Sequence, residues 1–101
     1  MGITSHVSPD GNTVTIGVQG RFDFNLHQQF RTAYRERARG AGRYVVDLGS
    51  TEYMDSSALG MLLLLREHAG GDGADVRLEN CRPEIRKILA IANFDKLFKV
   101  P

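Results

Sequence analysis

The segment Arg43–Leu48, RYVVDL, most constrains how this chain can fold. It is short, β-branched and largely apolar, and it lies between two stretches patterned for helix. That arrangement predicts a central buried strand in a largely parallel sheet, with neighbouring strands reached through helical crossovers. Before it, Leu26, Phe30, Ala33 and Tyr34 recur at i, i+4, i+7 and i+8, with Arg31, Arg35, Glu36 and Arg39 on the other side, as in an amphipathic helix. Asn25 is placed to cap this helix, because its side chain can accept from an unpaired first-turn amide, and Gly40 and Gly42 supply the stop. After it, a loop over Gly49–Met54 leads into a second helix from Ser56 to Ala69, which Gly70-Gly71-Asp72-Gly73 ends.

The remaining elements complete the pattern. Val14, Ile16 and Val18 alternate with polar or small residues across Thr13–Gly20, and Asp10-Gly11-Asn12 is a turn signal that makes Ile3–Val7 the partner strand of a hairpin. Asp75–Leu78 reads as a strand. Pro83 suits the first turn of a third helix, whose buried stripe is Ile85, Ile88, Leu89 and Ala92. Leu97–Val100 is expected to add a last short strand. The fold class is therefore α/β, a mixed sheet of four to five strands in the order hairpin then β-α-β-α-β-α-β, with helices packed on it. At 101 residues the chain is expected to form one domain over 1–101, since a single core typically takes about 100 to 150 residues.

Composition narrows the function. With 42% hydrophobic and 25% charged residues a packed core is expected, and the net charge of +1 gives no footprint for nucleic acid or anionic lipid. The longest apolar segment, Ala58–Leu65, is less than half of the roughly 20 residues a membrane span needs, so no membrane insertion is expected. No secretory signal is evident at Met1–Asp10. The single cysteine, Cys81, excludes an internal disulfide and fits the cytoplasm; it reads as a small half-buried apolar residue. No nucleophile elbow, phosphate loop or zinc-binding helix motif occurs, and His6, His27 and His68 lie on three different elements without ligand spacing. Neither a catalytic residue, a cofactor nor a metal site is expected.

One segment stands out: Asp55-Ser56-Ser57-Ala58-Leu59-Gly60 at the start of the second helix. Asp55, Ser56 or Ser57 could each cap the helix, and capping alone is the plain reading. Beyond it, at about 100° per residue, Ala58, Met61, Leu62, Leu65 and Ala69 form a sufficient core-facing arc. Leu59 and Leu63 fall outside that arc, with Ser56 and Gly60, and Glu67 continues the row. Such a row predicts a docking ridge for a partner. Ser56 opens it at a helix N-terminus, where a phosphate of about two negative charges is tolerated and would reverse the formal sign of the molecule.

These residues resemble a known family. Asp55-Ser56-Ser57-Ala58-Leu59-Gly60, after a strand ending in Asp47-Leu48 and with Gly20-Arg21-Phe22-Asp23 upstream, is similar to STAS domains, in particular stand-alone bacterial anti-sigma factor antagonists. Pro83–Leu89 and Phe94–Phe98 resemble the family's third helix and final strand. The resemblance implies a partner-switching protein that is not itself an enzyme. Its unphosphorylated form binds an anti-sigma factor, a serine/threonine kinase or both, and so releases the sigma factor. Phosphorylation at the residue after the Asp, here Ser56 with Ser57 as the second candidate, blocks binding, and a PP2C-type phosphatase restores it. By the same resemblance Asp23 and Asp55 are the flanking acids, and Ser57, Leu59, Gly60, Leu63 and Glu67 belong to the partner-binding face.

Two departures modify the expectation. Ala58 stands where the family usually has Gly, which predicts a tuned contact. The chain also lacks residues for the fourth C-terminal helix of many members, which leaves a face for weak homodimerisation. Specificity is expected from the rim charges Arg21, Arg66 and Glu67. Two other readings compete: a STAS scaffold subunit of a lipid transporter or stressosome-like assembly, and a magnesium-assisted site built from Asp23, Asp47 and Asp55.

Overall fold

The computed structural model describes residues 2–35 and 41–101. The expected positions Glu36, Arg39 and Gly40 lie outside the described residues. Strands β1 (Ile3–Val7) and β2 (Thr13–Val18) form the predicted antiparallel hairpin, with Ile3 opposite Val18 and Val7 opposite Val14. Its turn is held by Asp10, whose carboxylate accepts from the Ser8 hydroxyl at 2.6 Å and the Asn12 amide at 3.0 Å. Past the short strand β3 (Gly20–Phe22) and helix α1 (His27–Arg35) comes β4 (Arg43–Asp47), then β5 (Thr51–Met54), α2 (Ser56–His68), β6 (Val76–Glu79) and α3 (Pro83–Ile91).

The main sheet has the order β1-β2-β4-β6 and is parallel after the hairpin. Its register aligns Val14, Tyr44 and Val76 in one row and Ile16, Val46 and Leu78 in the next. All six are buried, and they join one core cluster with Phe30 of α1, Leu62 and Leu65 of α2, and Ile85 and Leu89 of α3. The strand at Arg43–Leu48 is thus central, as its apolar sequence requires.

Three expectations are corrected. The loop over Gly49–Met54 is in part a strand: β5 pairs in parallel with β3 to make a second, two-stranded sheet. The register slips between Gly20 and Arg21, so that Glu52 is an extra residue, and neither strand is long enough to show alternation in sequence. Helix α1 is not capped by Asn25. A 3₁₀ turn over Phe24–Leu26 precedes it, and Asp23 caps that turn by accepting from the Asn25 amide at 3.0 Å. Leu97–Val100 is not a strand but a single parallel bridge. Lys99 alone pairs with Arg77, donating to the Val76 carbonyl at 3.1 Å and accepting from the Leu78 amide at 2.8 Å, while Phe94, which opens the 3₁₀ turn Phe94–Lys96, and Phe98 after it are buried.

Candidate functional site

The small β3–β5 sheet positions the site. β2 and β4 are parallel neighbours, and each chain leaves the main sheet to continue as a neighbour in the second. Gly20, at φ +80°, makes the turn out of β2, a left-handed conformation that favours glycine. The buried Thr51 hydroxyl donates to the Val18 carbonyl at 2.9 Å and ties β5 back to β2. Because Phe22 pairs with Met54, the residues that follow, Asp23 and Asp55, leave the same sheet edge side by side.

Both carboxylates then act as caps. Asp55 accepts from the Ala58 amide at 3.2 Å and closes the first turn of α2, which settles which of the three polar residues caps this helix. Asp23 also faces Arg21, 3.5 Å away, and the Arg21 guanidinium lies 3.9 Å over the ring of its cross-strand neighbour Tyr53. Asp47 accepts from the Gly49 amide at 2.9 Å and from the Asn80 side chain at 3.1 Å. Each acid of the magnesium reading is therefore engaged locally, and among the described residues no three His, Cys, Asp or Glu side chains are grouped to hold an ion.

Ser56 is the first residue of α2 and is exposed, while Ser57 beside it is half-buried. Behind Ser56, Gly60 is exposed, and a Cβ built there would meet nothing within 4 Å. Leu63 is 39% exposed and Glu67 is exposed. The predicted inner arc is correct: Ala58, Met61, Leu62 and Leu65 are buried, and Ala69 packs against them. Leu59 departs from the predicted row, because it is half-buried and packs against the core.

Two further expectations change. Ala58 has no exposed surface, so its methyl fills the core rather than tuning an outer contact. Arg66 is not a rim charge. Its guanidinium pairs with Asp72 at 2.9 Å and donates to the Leu97 carbonyl at 3.3 Å, binding the end of α2 to the C-terminal segment. The sequence reading missed Leu64, which is 53% exposed, and Phe24, which is 66% exposed and stacks on His27 with ring centroids 5.0 Å apart. Leu64 was findable, since it lies outside the inner arc. Cys81 is half-buried as expected, and burial pushes its thiol up from the ordinary value.

The four-stranded mixed sheet with three helices on one core is a fold shared with anti-sigma factor antagonists. The structure of the antisigma-factor antagonist STAS domain from Rhodobacter sphaeroides is similar, with 27% identity, a TM-score of 0.59 and coverage of 78% of this chain and 85% of that one. The Bacillus cell fate determinant SpoIIAA in its phosphorylated form is similar in fold, with 18% identity, a TM-score of 0.67 and coverage of 98% and 90%. In sequence, the STAS-domain containing protein PA14_20770 of Pseudomonas aeruginosa (strain UCBPP-PA14) is 61% identical over 100 residues, 99% of both chains. A family model described as "Mlab, STAS domain" matches residues 5–100. The chain belongs to the STAS-domain family.

Proposed function

We propose that this chain is an anti-sigma factor antagonist that docks its partner along the outer face of α2 and is switched off by phosphorylation of Ser56. The observation that carries the reading is the exposed Ser56 at the tip of a helix whose next outward positions, Gly60 and Leu63, are also uncovered. The Ser56 hydroxyl is accessible to a serine/threonine kinase, and a PP2C-type phosphatase would reverse its modification. Asp55 already caps the helix, so the serine is not needed as its cap. A phosphate there adds about two negative charges beside Asp23 and Asp55, at the start of a row in which Glu67 is otherwise the one charged side chain. The likeness to an antisigma-factor antagonist from Rhodobacter sphaeroides, and the existence of a phosphorylated form of SpoIIAA, support this assignment. Action in the cytoplasm, on an anti-sigma factor or the kinase itself, belongs to the same proposal, as do supporting roles for Asp23, Ser57, Leu59 and Glu67.

The test is affinity purification from the native cell with Ser56→Ala and Ser56→Asp, together with phosphosite mapping of the wild type. Ser56→Ala is expected to retain an anti-sigma factor or kinase and Ser56→Asp to lose it. Equal retention by both sinks the switch, and phosphate on Ser57 alone moves it by one residue. Recovery of transporter or sensor-assembly subunits by both variants would establish the scaffold role instead.

A further inference from the structure

Beside the outer row of α2 runs a groove of about 350 Å³ between α1 and α2, lined by His27, Arg31, Tyr34, Arg35, Leu64 and His68. Its described lining has two guanidiniums, two imidazoles and no carboxylate. Among the described residues neither Arg31 nor Arg35 forms an ion pair. Tyr34 and His68 are in ring contact at 5.0 Å and form the wall between the helices. The phenol of Tyr34 is pushed up by burial, and Arg31 and Arg35 pull it the other way.

We infer that this groove receives an acidic helical segment of the protein partner, whose carboxylates face Arg31 and Arg35 and whose apolar side chains meet Leu63 and Leu64. The inference rests on the proposed function for the existence of a protein partner and adds its chemistry. Three arguments select this occupant. The groove is continuous with the outer row of α2, because Leu64 lines one and adjoins Leu63 in the other. Among the described residues its charge has no acidic partner, so carboxylates arriving there replace water without displacing any ion pair these residues form. Its cations are four residues apart on one helix, about 6 Å along the axis, and a partner helix repeats its own side chains at the same interval. The groove is too open to enclose most of a small ligand, as such sites do.

The test places the photo-cross-linker p-benzoylphenylalanine at position 64, and separately at position 63, in the native cell, and identifies the captured segment by mass spectrometry. Position 64 is expected to capture a segment carrying acidic residues three or four apart. Its yield is expected to fall about tenfold in Arg31→Gln/Arg35→Gln, as loss of two exposed charge contacts predicts. Thermal melting of that variant confirms that it folds. A captured segment without carboxylates, or a yield unchanged by the double substitution, overturns the inference. Capture at 63 but not at 64 overturns it while leaving the partner reading intact. Capture at both positions that persists in Ser56→Asp supports the groove and removes the switch. Capture at neither overturns both. Cosedimentation of the purified protein with phosphatidylglycerol vesicles that depends on Arg31 and Arg35, without a protein cross-link at 64, would assign the groove to a membrane surface and overturn it as well.

Discussion

The hydroxyl of Thr51 donates to the Val18 carbonyl at 2.9 Å from a side chain with no exposed surface. This bond, with that of the Thr51 amide to the Leu48 carbonyl at 3.1 Å, ties the accessory strand pair to the main sheet ahead of α2. Thr51→Val keeps the shape and removes the donor. It is expected to cost about 1–2 kcal/mol, the range for a buried hydrogen bond lost from one side. Urea unfolding measures it, and an unchanged midpoint would show that β5 is held without this bond, by its pairing with β3 and by packing.

Asp55→Ala removes the cap of α2. The expected loss is about 1 kcal/mol, with Asp55→Asn close to wild type because an amide oxygen caps as well. Amide exchange at Ala58 should accelerate in the alanine variant only. Equal exchange in both would mean that the 3.2 Å contact contributes nothing.

Gly60→Ala separates stability from binding. A methyl at position 60 meets no atom within 4 Å, and alanine favours a helix interior by up to about 1 kcal/mol over glycine. The variant is therefore expected to melt higher than wild type and to bind its partner less tightly. Higher stability with undiminished binding would place the partner elsewhere.

Asp75 ties acid stability to the far edge of the sheet. Its hydrogen bond from Arg43 holds its carboxyl below the ordinary value of 3.8, assisted by the charges of Lys99, Arg43 and Arg77 and opposed by burial. A carboxyl lowered on folding contributes stability that is present above the unfolded value and lost as pH falls through the folded one. Wild type should thus lose stability on acidification below about pH 4, and Asp75→Asn should lose less over the same window. Parallel acid titrations of the two would reject the assignment.

The long elements were legible because their periods are long enough to read. Val14, Ile16 and Val18 marked the hairpin and Tyr44, Val45 and Val46 the central strand, and the inner arc of α2 followed from its 100° repeat. β3 and β5 were not legible. The three residues Gly20–Phe22 and four residues with a bulge at Glu52 show no alternation, and their pairing depends on two distant segments meeting. The start of α1 failed for a related reason, since Asp23 and Asn25 are equally good caps until the extra turn is known. Ser56 and its row could be read along one helix. The cationic groove could not, because Arg31 and Leu64 come together only once α1 and α2 are packed.

The burial of Ala58, Met61, Leu62 and Leu65 has a consequence for speed. Ordering a backbone costs about 1–2 kcal/mol per residue, and α2 has met that cost before any encounter. On the proposed function, association at this face needs no folding step on this side, so diffusion and orientation govern its rate here. The time constant of the proposed response would then be set by how fast chemistry alters the Ser56 hydroxyl and how fast a complex dissociates.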